Sequence, residues 1–74
     1  MSALTDALDS ADREIDRAGA ALVEAKRLMN ALERAPQADR PESRRSLLTE
    51  LDAAARAATA ARKHVESQTE ELAP

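Results

Sequence analysis

The sequence predicts an all-α protein, an antiparallel two-helix hairpin of the coiled-coil type that is expected to dimerise into a four-helix bundle. Each half of the chain carries apolar residues in unbroken alternating steps of four and three, the spacing of a helix with an apolar seam. The two halves are separated by prolines at Pro36 and Pro41. Ala, Leu, Glu, Arg and Lys dominate the composition, which is typical of long helices.

The first helix is predicted over residues 3–35. Ser2 is a suitable N-cap, and Pro36 disfavours the α conformation in the residue before it. The predicted seam of this helix consists of Leu4, Leu8, Ala11, Ile15, Ala18, Leu22, Ala25, Met29 and Leu32. Large and small side chains alternate from Leu8 to Met29, and an alanine at every second position of this stretch allows a partner helix to approach closely.

Residues 36–39 form the predicted connector, and the second helix is predicted over residues 40–72. Asp39 is the expected N-cap, with Pro41 in the first turn and Glu42 three residues after the cap, as in a capping box. The predicted seam of this helix consists of Leu47, Leu51, Ala54, Ala58, Ala61, Val65, Gln68 and Leu72.

A connector this short makes the two helices antiparallel neighbours. Folding about its midpoint places Leu22 opposite Ala54, and Ile15 opposite Ala61. Large side chains then face small ones, which is the arrangement that fills a helix–helix interface.

The composition predicts a chain that needs a partner. Of the 32 apolar residues, 18 are alanine, and the chain has no aromatic residue and no cysteine. A domain of 74 residues is short of core, and association with another chain would supply it. The expected partner is a second copy, giving a homodimer, or a second helical protein. The waist, where both helices are small or apolar on every side, is the predicted interface: Gly19, Ala20, Val23, Ala53, Ala57 and Ala60.

The sequence offers no pattern for catalysis, a metal or a cofactor. His64 is the only histidine, and the residue three before it is Ala61 rather than the glutamate of a helical-bundle metal site. One glycine cannot form a phosphate-binding loop, and no cysteine is present as a nucleophile. We expect a non-catalytic protein–protein interaction module with a structural or adaptor role.

Charge distribution raises an alternative function. Residues 26–45 hold six basic and three acidic residues, whereas residues 1–25 hold two basic and six acidic residues. The connector end of the hairpin is therefore basic. A nucleic-acid-associated regulator would use the arginines of this end, although the net charge of −3 and the missing aromatic residues count against it. Those candidate contacts are Arg34, Arg40, Arg44 and Arg45.

Two helices joined by a short turn in a chain of 74 residues are similar in outline to the small WXG100 partners of type VII secretion. The resemblance implies a secretion partner, or by extension a toxin-neutralising partner, that folds against a second protein. The turn here has no Trp-x-Gly and the chain has no tyrosine, so no site residue is carried over. The N-terminus lacks a basic region followed by an apolar run, and no membrane span is expected. The expected compartment is the cytoplasm, with signal-free secretion as the alternative.

Overall fold

The computed structural model describes residues 2–72 and confirms the all-α hairpin. Helix α1 spans Ala3–Arg34, a single 3₁₀ turn spans Gln37–Asp39, and helix α2 spans Arg40–Leu72. The first helix ends one residue before the predicted boundary. The two helices pack along their length into a rod 57 Å long. Within the described residues, neither helix has a stretch apolar enough to cross a membrane.

The start of α1 follows from its capping residue. The backbone of Ser2 is extended, and its hydroxyl accepts a hydrogen bond from the Thr5 backbone N–H over 3.1 Å. This bond satisfies one of the backbone N–H groups that the first helical turn leaves without an intrahelical partner. Asp6 adds a negative charge in the same turn, next to the positive end of the helix dipole.

The connector reverses the chain through Pro36 and the 3₁₀ turn. Ala35 is extended, as expected for a residue before proline, and the Asp39 backbone N–H donates to the Pro36 carbonyl over 2.9 Å. The Arg40 side chain donates from Nε to the Ala35 carbonyl over 3.3 Å, so it caps the C-terminal end of α1. Asp39, the predicted N-cap, therefore contributes its backbone N–H to the hydrogen bond of the 3₁₀ turn that leads into α2.

The two helices meet along what we call the alanine seam. Its α1 members are Ala7, Ala11, Glu14, Ala18, Ala21, Ala25, Leu28 and Leu32, all buried or half-buried. Its α2 members are Ser43, Leu47, Glu50, Ala54, Ala57, Ala61, His64 and Gln68, also buried or half-buried. Counted outward from the connector, both series advance by four and then three residues, so each position in α1 has a counterpart at its level in α2.

The predicted seam is therefore only half right. Four of its members in each helix lie in the alanine seam: Ala11, Ala18, Ala25 and Leu32 in α1, and Leu47, Ala54, Ala61 and Gln68 in α2. The others are exposed: Leu4, Leu8, Ile15, Leu22, Met29, Leu51, Ala58 and Val65. Leu72 lies outside the described side chains. Each helix is turned about its axis by roughly half the 100° between successive residues, relative to the prediction.

Close packing explains this rotation. Counted outward from the connector, the buried and half-buried positions pair Ala54 with Ala21 rather than Leu22, and Ala61 with Glu14 rather than Ile15. Alanine at both seam positions brings the two backbones together, whereas a large side chain between them would hold them apart. The hairpin therefore gains contact between backbones and leaves its larger apolar side chains beside the seam.

Candidate interaction surface

The most deeply buried residues of the hairpin are all alanines. Five residues are buried, with 3 to 7% of their surface exposed: Ala11, Ala25, Ala54, Ala57 and Ala61. Among the residues that the structure describes, no larger side chain is fully buried. A buried methyl group contributes only about 0.8 kcal/mol, so the seam is a weak source of tertiary stability.

The larger apolar side chains are exposed instead, and most of them form one surface. We call it the apolar face, and it consists of Leu8, Ile15, Leu22 and Met29 of α1 and Leu48, Leu51, Ala58 and Val65 of α2. Ile15 exposes 57% of its surface and Leu22 exposes 53%. These are large exposures for residues of this type in a folded protein.

The register of the seam places these side chains on the same side of the hairpin. In α1, Leu22 follows the seam residue Ala21 by one position, and in α2, Leu51 follows the seam residue Glu50 by one position. Successive residues differ by 100° about the helix axis, so Leu22 and Leu51 each lie about 75° to one side of the midline of the seam. Because α2 runs in the opposite direction to α1, these two displacements point to the same side. The four large residues of α1 therefore lie beside those of α2.

The opposite side of the hairpin has a different composition. It carries the residues that precede the seam by one position: Ser10, Arg17, Glu24, Ala31, Ser46, Ala53, Ala60 and Ser67. Polar and small residues make up this polar side within the part of the chain that the structure describes. The hairpin as a whole is therefore amphipathic, with one apolar face. This apolar face is separate from the narrow alanine stripe through which each helix packs against the other.

Gly19 lies at the edge of the apolar face, between Ile15 and Leu22. A methyl group added at Gly19 would meet no atom within 4 Å, and the backbone there is ordinary helix. Packing inside the hairpin therefore gives no reason for a glycine, which costs about 1 kcal/mol relative to alanine in a helix. The missing side chain leaves a notch that faces solvent.

The predicted waist residues occur at one level of the rod but not on one surface. Ala57 is buried in the alanine seam of the single hairpin, and its part in an interface with a second protein stays a prediction. Gly19 borders the apolar face, whereas Ala20 lies towards the polar side and Val23 points away from α2 with 73% of its surface exposed. The remaining two, Ala53 and Ala60, lie on the polar side.

The four arginines predicted as nucleic-acid contacts are exposed around the connector. Arg40 and Arg44 line a shallow depression together with Leu32, Glu33, Gln37 and Pro41. Arg34 lies in the last turn of α1, where its positive charge interacts favourably with the negative end of the helix dipole. Arg40 is held by the Ala35 carbonyl, so two of the four have a local structural role.

Glu14 and His64 are polar residues of the seam. The Glu14 side chain is 19% exposed and accepts a hydrogen bond from Nη1 of Arg17 over 2.7 Å. His64 is half-buried, since its position in α2 belongs to the seam. Across the described residues, no group of three or more acidic or histidine side chains is arranged to hold a metal ion.

A neighbouring arginine shifts the pKa of one carboxylate beside the seam. Arg27 donates from Nε to the Glu24 carboxylate over 3.0 Å and makes a second hydrogen bond through Nη2. These hydrogen bonds lower the pKa of Glu24 below its usual value, and the same pair raises the pKa of Arg27. The pair is solvent-exposed and lies within one helix, so it stabilises α1 rather than forming a site.

Comparisons of the chain with protein-family models, with curated proteins and with solved structures found no match.

Proposed function

We propose that this protein is a non-catalytic interaction module with a structural or adaptor role, and that it binds another protein chain through its apolar face. The observation that carries the proposal is the separation of apolar residues into two sets. Alanines make up the buried core of the hairpin, and most of the exposed larger apolar side chains lie on one side of it. Contiguous exposed apolar surface on a small protein is typical of a protein-binding site.

The size of the face supports a complex of ordinary affinity. Full burial of a Leu, Ile, Val or Met side chain contributes about 1.5–3 kcal/mol, so covering the exposed half of each contributes about 1 kcal/mol. Seven such side chains on the face, counted without Ala58, then contribute on the order of 7 kcal/mol per hairpin, before the cost of association. A micromolar complex requires about 8 kcal/mol. Two hairpins that cover each other's faces reach this range.

The test uses two neighbouring residues on different surfaces. Leu22→Arg places a charge in the apolar face, whereas the matched control Val23→Arg places the same charge on the outer side of α1. Both should remain helical, since arginine is a good helix former. We expect Leu22→Arg to abolish the complex in sedimentation equilibrium, or the capture of a partner by immobilised protein, and Val23→Arg to preserve it.

The control also decides between the apolar face and the predicted waist. Loss of the complex in Val23→Arg with retention in Leu22→Arg would move the interface to the outer side of α1. Binding that neither variant disturbs would refute an interface at either surface.

A nucleic-acid-associated role is the second candidate, favoured by the exposure of Arg34, Arg40, Arg44 and Arg45 at one end of the rod. Phosphate contacts by these side chains would make binding strongly dependent on salt. Titration of mixed DNA and RNA at low and high salt tests this role, and a signal that stays flat in both conditions rejects it. A secretion partner or toxin-neutralising partner would use the apolar face, and the Leu22→Arg variant tests that role in the same way.

A further inference from the structure

We infer that the apolar face is covered by a second copy of this chain in the opposite orientation, so that the two connectors lie at opposite ends of a four-helix bundle. The inference rests on the proposed function and adds the partner and its orientation.

The charge distribution of the rod favours this orientation. Residues 26–45 surround the connector and carry a net charge of +3, whereas residues 1–25 carry −4 and residues 46–74 carry −2. The rod is 57 Å long, which is many times the Debye length of about 8 Å at physiological salt. The charges at one end of a rod therefore interact only with charges of the second copy that lie beside that end. Opposite orientation sets each basic connector against an acidic end. The same orientation would set the two basic connectors together.

The α1 half of the apolar face also matches itself when it is reversed end to end. Its large residues in α1 recur every seven positions, and reversal about a point between Ile15 and Leu22 exchanges these two residues. The same reversal exchanges Leu8 with Met29. A two-fold axis requires this kind of self-complementarity, because the same patch is used by both copies.

This arrangement explains why a glycine occupies position 19. It lies next to the point of reversal, where the two copies of α1 would cross, and small residues at such a point let backbones approach closely. On α2, reversal exchanges Leu48 with Val65 and leaves Ala55 and Ala58 near the centre. Outside the alanine seam, the small residues nearest the point of reversal are therefore Gly19 on α1, between Ile15 and Leu22, and Ala55 and Ala58 on α2.

Two charged residues at the rim of the face provide the sharpest test. Asp12 and Lys26 are both exposed beside the α1 part of the apolar face, and the reversal places Asp12 of one copy near Lys26 of the other. Two such pairs form in a symmetric dimer. In the same orientation, by contrast, Asp12 would approach Arg62 of the second copy rather than Lys26.

The experiment is a charge exchange, measured by sedimentation equilibrium. Asp12→Lys should raise the dimer dissociation constant about tenfold, because two attractive pairs become repulsive. Adding Lys26→Glu to that variant should restore the parent value to within about threefold. The parent dimer should also weaken between 0.1 M and 1 M salt, as the Debye length falls from about 10 Å to about 3 Å.

A distance measurement gives the orientation directly. The chain has no cysteine, so Ala38→Cys in the 3₁₀ turn provides a single site for a spin label, away from the apolar face. Pulsed electron double resonance should give a separation comparable to the 57 Å length of the rod. Connectors at the same end would instead give a separation on the order of the 10 Å between packed helices.

The possible failures are distinct. A dimer with a short label separation, or without rescue by Lys26→Glu, overturns the orientation. A parent that stays monomeric at high concentration overturns the choice of a second copy. In that case a different partner captured by the parent and lost in Leu22→Arg would keep the proposed function, and no loss in that variant would refute it as well.

Discussion

Truncation of Leu22 gives the most direct measure of whether the apolar face is covered. Leu22→Ala removes three carbon atoms from a side chain that is 53% exposed in the hairpin. At about 0.8 kcal/mol per buried CH₂, full burial of those atoms would contribute roughly 2.4 kcal/mol. In an isolated hairpin slightly less than half of this applies, so the substitution should cost about 1 kcal/mol.

A covered Leu22 gives a different result. When a second chain buries the side chain and the facing surface cannot collapse into the gap, Leu→Ala costs about 2–5 kcal/mol. The matched control is Val23→Ala, since Val23 is 73% exposed and points away from α2. Its small loss of burial is offset by the better helix propensity of alanine, so we expect a change of less than about 0.5 kcal/mol.

The assay is thermal unfolding followed by circular dichroism over about a hundred-fold range of protein concentration. A covered face predicts that the parent melting temperature rises with concentration, because association stabilises the folded chain by mass action. Leu22→Ala should lower that temperature by about 4–8 °C for each kcal/mol lost, with a reduced dependence on concentration. Equal, small shifts for Leu22→Ala and Val23→Ala at every concentration would refute the reasoning, since both residues would then be plain surface.

Three further outcomes are expected from the contacts of the described residues. Gly19→Ala should stabilise a monomeric hairpin by about 0.5–1 kcal/mol, whereas it should weaken a complex in which another backbone fills the notch, and sedimentation with thermal unfolding separates the two cases. Ser2→Ala should cost about 0.5–2 kcal/mol and increase amide exchange at Thr5, because it removes the cap. The pKa of Glu24 is lower in the folded chain than its ordinary value of 4.5. The ionised Glu24 therefore contributes fully to stability above pH 4.5, and this contribution is lost as the pH falls through the pKa of Glu24 in the folded chain. Glu24→Gln should therefore reduce the loss of stability on acidification, as measured by urea unfolding across this range.

The secondary structure and the hairpin topology were predictable because their causes are local. Heptad spacing, the Ser2 cap and the effect of Pro36 on Ala35 act within a few residues, and each is present in the structure. The short connector then leaves antiparallel packing as the available arrangement. The 3₁₀ turn was not predicted, since Asp39 fits a helix cap equally well by sequence, and the choice depends on how Pro36 and Arg40 close the reversal.

The rotation of each helix about its axis was not predictable from periodicity alone. Each helix carries an alanine stripe flanked on one side by large apolar residues, so the apolar surface is wider than one seam. Periodicity identifies such a surface but does not divide it between an internal and an external contact. The missed signal lay in the pairing of small residues. Ala18 with Ala21, and Ala54 with Ala57, form a stripe on each helix without any large residue, and two such stripes can meet more closely than a mixed pair.

This division of the apolar surface also bears on the interface prediction at Ala57, which the seam of the single hairpin buries. Counting apolar residues around the helix gives the level at which a second chain would bind, and Gly19 and Ala57 do lie at similar levels. It does not give the side, because the side depends on which residues the first contact has already buried. Once Ala54 and Ala57 are buried against α1, the remaining apolar surface lies beside the seam, where Leu22 and Leu51 are adjacent. A second chain that binds there would complete a core in which alanine seams hold each hairpin together and the larger side chains join the two layers.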